Sequence, residues 1–225
     1  MLVLRPDWQV PTWVRCLTTT RQTGDFFQAA ARERLEKAVG CQHMAWLAQC
    51  HGKDMVLAED SALSSADGSW TTQPHIACVV RTADCLPVLL TAKERPWVSA
   101  VHAGWQGLYQ NILAEAITKA PQDVTLTAWI GPSIGRKAYA FSPEFRTHFL
   151  KRYPHLTQAF LWRGTQCYCD LTRIAEAQLL AAGVTDIAIS GFCTHRDAQL
   201  FDSYRRQGNV AGRQATVIWI DTAIQ

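Results

Sequence analysis

The 225-residue chain has no run of five like charges and no apolar stretch near the roughly 20 residues of a bilayer span. Its net charge is only +3, and charged residues make up 18% of it. Binding a phosphate backbone or an anionic membrane needs clustered Lys and Arg, so neither partner is expected. The first residues carry Arg5, Pro6 and Asp7 where a secretory leader needs a long apolar centre. No Pro/Gly/Ser-rich linker, internal repeat or low-complexity tract divides the sequence. These absences lead us to expect a soluble, cytoplasmic protein whose residues 1–225 form a single domain. With 48% hydrophobic residues, such a chain can fill a core without covalent staples.

Cysteine, by contrast, is plentiful: Cys16, Cys41, Cys50, Cys78, Cys85, Cys167, Cys169 and Cys193. In a reducing compartment, thiols serve as core residues, metal ligands or nucleophiles. Hydrophobic patterning shows where they fall. FFQAAARERLEKAV has helical spacing and stops at Gly40. IACVVRT (76–82), LPVLLTA (86–92) and WVSAVHA (97–103) read as strands. In the segment 108–120, Leu108, Ile112, Leu113 and Ile117 fall on one helical face. Further strands are expected at 124–130, 185–190 and 215–220. Asp170 and Gly183 bracket another helix. The interleaving predicts an α/β domain with a central mixed β-sheet flanked by helices.

The four-residue turn Lys93–Pro96 predicts a hairpin in which facing residue numbers sum to about 189. Cys85 and His102, 17 apart in sequence, then lie at one end of the sheet beside glycine-containing loops. They can be buried strand residues, a nucleophile–base pair or two metal ligands. His51, followed by Gly52, is a third candidate. Two His and one Cys are the N/S set that Zn²⁺ prefers, and three ligands with an open fourth position is a catalytic pattern. A rival set, Cys167, Cys169, Cys193 and His195, lacks the usual spacing of a structural zinc site.

QCHG (49–52), RTADCLPVLL (81–90), VHAGWQGL (101–108), IGPSIG (130–135) and SYRRQGNVAGRQATVIW (203–219) occur in an order that resembles the laccase-domain, or multicopper polyphenol oxidase-like, family. TTTRQTG (18–24) resembles that family's early Thr-Thr-Arg element. The resemblance implies a single α/β domain and a Zn²⁺ held by His51, Cys85 and His102, which are also the catalytic residues. It implies phosphorolysis of adenosine, inosine or methylthioadenosine, together with adenosine deamination. The partners would then be a small-molecule nucleoside and phosphate. The copper-oxidase name is an older assignment, so zinc is expected rather than copper. Arg21, Arg205 and Arg206 are the expected phosphate contacts. Asp84 is expected near the substrate or behind a ligand histidine, and Trp105 is a candidate to stack on the purine. Two departures stand out. Gln106 replaces the family's Arg, and residues 135–139 lack its Cys pair. Two other readings compete: a metal-free Cys–His hydrolase or deamidase, and a non-catalytic or editing role on peptidoglycan precursors.

Overall fold

The computed structural model describes residues 2–62 and 64–221. Its strands are β1 (Val3–Leu4), β2 (Val14–Thr19), β3 (His43–Ala45), β4 (Met55–Leu57), β5 (Gly68–Thr71), β6 (Ile76–Thr82), β7 (Leu86–Ala92), β8 (Val98–Ala103), β9 (Leu126–Ile130), β10 (Ala140–Phe141), β11 (Phe160–Arg163), β12 (Gln166–Cys169), β13 (Asp186–Ile189) and β14 (Gln214–Ile220). The helices are α1 (Ala29–Val39), α2 (Trp105–Tyr109), α3 (Ile112–Ile117), α4 (Pro143–Arg152), α5 (Leu171–Ala181) and α6 (Tyr204–Gln207). No described helix is long and apolar enough to cross a membrane.

The expected α/β architecture, with mixed sheets flanked by helices, is present. The strands divide between two large sheets, ordered β1-β2-β14-β6-β3 and β13-β9-β7-β8-β5-β4, with a small β10-β12-β11 sheet beside them. Both large sheets are mixed, with parallel pairs β3–β6, β13–β9 and β4–β5. Cys78, Val80 and Ile218 of the first sheet meet Leu89, Val98, Ala100 and Trp129 of the second in one buried cluster. The alternate residues Ala77, Val79, Ala215 and Val217 turn the other way and pack on Ala31 and Leu35 of α1. On the outer face of the second sheet, Val88, Leu90 and Val101 pack against Leu108, Ile112 and Leu113, with Phe149 of α4 and Ile174 and Leu179 of α5 beyond. The layers therefore run helix, sheet, sheet, helices. Strands buried on both faces read as continuous apolar runs, which is why IACVVRT and LPVLLTA carry no alternation.

The hairpin has the expected register. Leu86 faces Ala103, Pro87 faces His102 and Val88 faces Val101. The expected 108–120 helix is instead two short helices, broken where Asn111 takes a left-handed φ of 62°. Asn tolerates that conformation better than other residues with a Cβ. The break keeps Leu108, Ile112 and Leu113 all fully buried.

Candidate metal centre and its pocket

Cys85 lies on the short link between β6 of the first sheet and β7 of the second, and His102 lies in β8 beside it. His51 comes from the loop before β4. Their ligand atoms all lie within 4.8 Å of one another, and the two imidazoles meet edge to face with centroids 4.8 Å apart. Among the described residues this is the one such cluster of three or more metal-ligating side chains.

The sequence reading missed the residue that organises this cluster, Asp67. Its fully buried carboxylate accepts His102 Nδ1 at 2.6 Å, the backbone N–H groups of His51 (2.9 Å), Gly52 (2.6 Å) and Cys50 (3.1 Å), and the Cys50 thiol at 3.2 Å. These bonds fold the Cys50–Gly52 loop around the carboxylate and hold His51 at a φ of 62°. Burial opposes the charge on Asp67, but the bonds from His102, Gly52 and Cys50 hold its pKa well below the usual carboxylate range. Burial opposes a charge on His102, but Cys85 and Asp67 raise its pKa to about 9. The carboxylate holds one proton on Nδ1, so Nε2 is the nitrogen left for a metal, which would displace the proton there. Burial likewise opposes the Cys85 thiolate, but His102 and His51 pull its pKa down to about 6. Two imidazoles, one with a fixed tautomer, and a readily ionised thiol fit a divalent metal of the zinc type.

A cavity of about 470 Å³ opens over these residues. Trp105, Tyr139 and Phe141 form an aromatic wall, while Phe27, Tyr204, Arg81, Arg205 and Arg213 line other parts. Trp105 packs edge-on against Phe145 with ring centroids 5.1 Å apart and presents itself to the cavity from there.

The other expected site residues fall in different places. Asp84 lines the cavity, but it touches no ligand histidine. Its buried carboxylate accepts the hydroxyls of Thr194 (2.6 Å) and Ser203 (3.0 Å) and the backbone N–H of Arg205 (2.6 Å). The histidine-orienting role belongs to Asp67, and Asp84 ties two loops to the cavity rim. Of the three expected arginines, only Arg205 reaches the cavity, where it stacks over Tyr139 at 5.2 Å. Arg21 lies outside it, bonded to the Ala198 carbonyl and 3.6 Å from Asp202. Arg206 also lies outside, its guanidinium bonded to Thr194, His195 and Phe201 carbonyls. Gln106 is exposed and lines no part of the cavity. Cys167 and Cys169 are core residues, and Cys193 accepts backbone N–H groups, so the rival thiols are not gathered into a metal site.

The model of the multi-copper polyphenol oxidoreductase laccase family matches residues 19–221. A protein of Pseudomonas aeruginosa named as a purine nucleoside phosphorylase is 35% identical, over 96% of this chain and 98% of its own length. The Shigella flexneri protein named purine nucleoside phosphorylase YfiH is 37% identical, over 96% and 97%. A solved Neisseria meningitidis structure of the DUF152 family matches with a TM-score of 0.89 at 31% identity, covering 98% of this chain and 99% of that one. On a match across most of its length and on full-length relatives above 30% identity, this chain belongs to the multi-copper polyphenol oxidoreductase laccase family.

Proposed function

We propose that the protein is a zinc-dependent purine nucleoside phosphorylase acting on adenosine, inosine or methylthioadenosine, with adenosine deaminase activity at the same site. The observation that carries this reading is the convergence of His51, Cys85 and His102 on a nucleoside-sized cavity with an aromatic wall and guanidinium groups. The names of the full-length relatives support the same reaction class. Zinc held by the three residues supplies a Lewis acid to the pocket. The chain's own groups do the rest. Asp67 orients His102, the low thiol pKa readies Cys85 as a ligand, and Trp105, Tyr139 and Phe141 offer apolar surface to a purine.

The test is product analysis of adenosine incubated with zinc-loaded protein, with and without phosphate, beside a His102→Ala variant. Adenine is expected only when phosphate is present, and inosine in either case. Both rates should fall by roughly two orders of magnitude or more in the variant. Adenine formed without phosphate, and surviving chelation, would replace this reading with the metal-free hydrolase that a Cys85 thiolate beside His102 also suits. The absence of any nucleoside product would move the assignment to other substrates, peptidoglycan precursors first.

A further inference from the structure

The phosphorolysis proposed above needs an anion site, yet Arg21 and Arg206 lie outside the cavity. Two other arginines lie inside it. Arg81 is the penultimate residue of β6, and Arg213 precedes β14, the strand beside β6. Their guanidinium carbons sit 5.0 and 4.8 Å from the centroid of one ring, Phe27. Each group is anchored by backbone carbonyls through one nitrogen. Arg81 Nη2 donates to Leu47 at 2.6 Å, and Arg213 Nη1 donates to Ala211 and Gly212 at 2.7 and 3.1 Å. Both side chains are half-buried.

Among the described residues, neither forms an ion pair with a carboxylate. The nearby acid, Asp25, accepts the backbone N–H groups of Phe27 and Arg213. Burial, followed by the like charges of Arg32 and Arg213, pulls the Arg81 pKa below its usual value. Stacking on Phe27 accounts for holding one guanidinium. It does not account for two like charges at one ring, inside the cavity that holds the metal-ligating residues. A pre-anchored pair with spare N–H donors matches a tetrahedral oxyanion.

We propose that Arg81 and Arg213 form the anion subsite of this cavity and hold the phosphate co-substrate, a role that rests on the phosphorylase reading. In the step it serves, an oxygen of dihydrogen phosphate bonds to C1′ of the nucleoside as the C1′–N9 bond breaks. The electron pair of that bond goes to the purine, which takes up the proton that the phosphate gives up. The products are ribose 1-phosphate and the free base. The same chemistry would accept the 5′-phosphate of a nucleotide, and the experiment separates the two sources.

Binding of inorganic phosphate, and separately of adenosine monophosphate, is measured by calorimetric titration of zinc-loaded wild type, Arg81→Gln and Arg213→Gln. Metal content and melting temperature serve as folding controls, and Arg81→Lys and Arg213→Lys replace any Gln variant that fails them. Each substitution is expected to weaken phosphate binding about tenfold or more. The KM for phosphate should rise by the same factor, while the KM for nucleoside stays within about twofold. Phosphate bound equally by wild type and variants overturns the subsite, as does a rise confined to the nucleoside KM. Loss of adenosine monophosphate binding with phosphate binding intact overturns the co-substrate role and assigns the pair to a nucleotide. Phosphate binding that depends on both arginines, in a protein that forms no free base, sustains the subsite while the phosphorylase reading fails.

Discussion

One buried carboxylate, Asp67, organises the candidate metal site without belonging to its three ligand candidates. Asp67 takes His102 Nδ1 and three consecutive backbone N–H groups from residues 50–52, so it fixes both a ligand's tautomer and the course of the loop that carries His51. Asp67→Asn keeps the shape but removes the charge and places an NH₂ group among donors. We expect zinc affinity to fall about 10- to 100-fold, measured by competition with a chromophoric chelator. An unchanged affinity would show that the loop holds its course without the carboxylate. The lowered Asp67 pKa gives the sign of the pH effect. Its stabilisation is complete above the ordinary carboxylate range, about pH 4, and is lost as pH falls below it. Asp67 left little trace in the sequence, because its partner His102 lies 35 residues away and the run before β5 (SSAD) looks like an ordinary turn. Arg81 was more open to reading: a single cation that follows the apolar run IACVV within one strand needs a reason to be there.

At the scale of elements, the β7–β8 hairpin was legible because an antiparallel register follows from turn length alone. That register alone places Cys85 and His102 at one sheet end. The glycines that follow His102 have causes the sequence did not show. A Cβ on Gly104 would lie 3.2 Å from Cys85 Sγ and 3.3 Å from His51 Cδ2. A Cβ on Gly107 would lie 3.0 Å from the carbonyl oxygen of Gly52. Both glycines sit in or against the start of α2, so the helix can approach two ligands and their loop closely. Gly104 has a φ of −69°, so Ala is allowed by the backbone and meets only the ligand side chains. Gly104→Ala is therefore expected to fold normally, with melting within about 2 °C of wild type in the metal-free state, yet to bind zinc about tenfold more weakly. Equal zinc affinity would show that Cys85 and His51 move aside without loss. The α2–α3 break was not legible, because helical spacing of Leu108, Ile112 and Leu113 continues across Asn111.

For the whole molecule, the division of strands between two sheets was hidden for a physical reason. A strand buried on both faces shows the same apolar run whether helices or a second sheet cover it. That division decides what the candidate metal site connects. Cys85 sits on the link from β6 in one sheet to β7 in the other. The His51 loop is tied to the first sheet by Gln49, whose amide bonds both the N–H and the carbonyl of Arg81 at 2.8 Å, and to the second by Asp67. A metal bound there joins groups from both layers, so it should stabilise the fold as a unit and not one loop. Zinc at 1,000 times its dissociation constant adds about 4 kcal/mol if the unfolded chain binds it negligibly. At about 2–4 °C per kcal/mol for a chain of this size, chelation should lower the melting temperature by about 10 °C. Calorimetry of loaded and stripped protein checks the shift. Hydrogen exchange locates it, with lost protection expected in β6, β7 and β8 together. Protection lost only in residues 49–52, with an unchanged melting temperature, would confine the metal's effect to the loop and sink the two-sheet link.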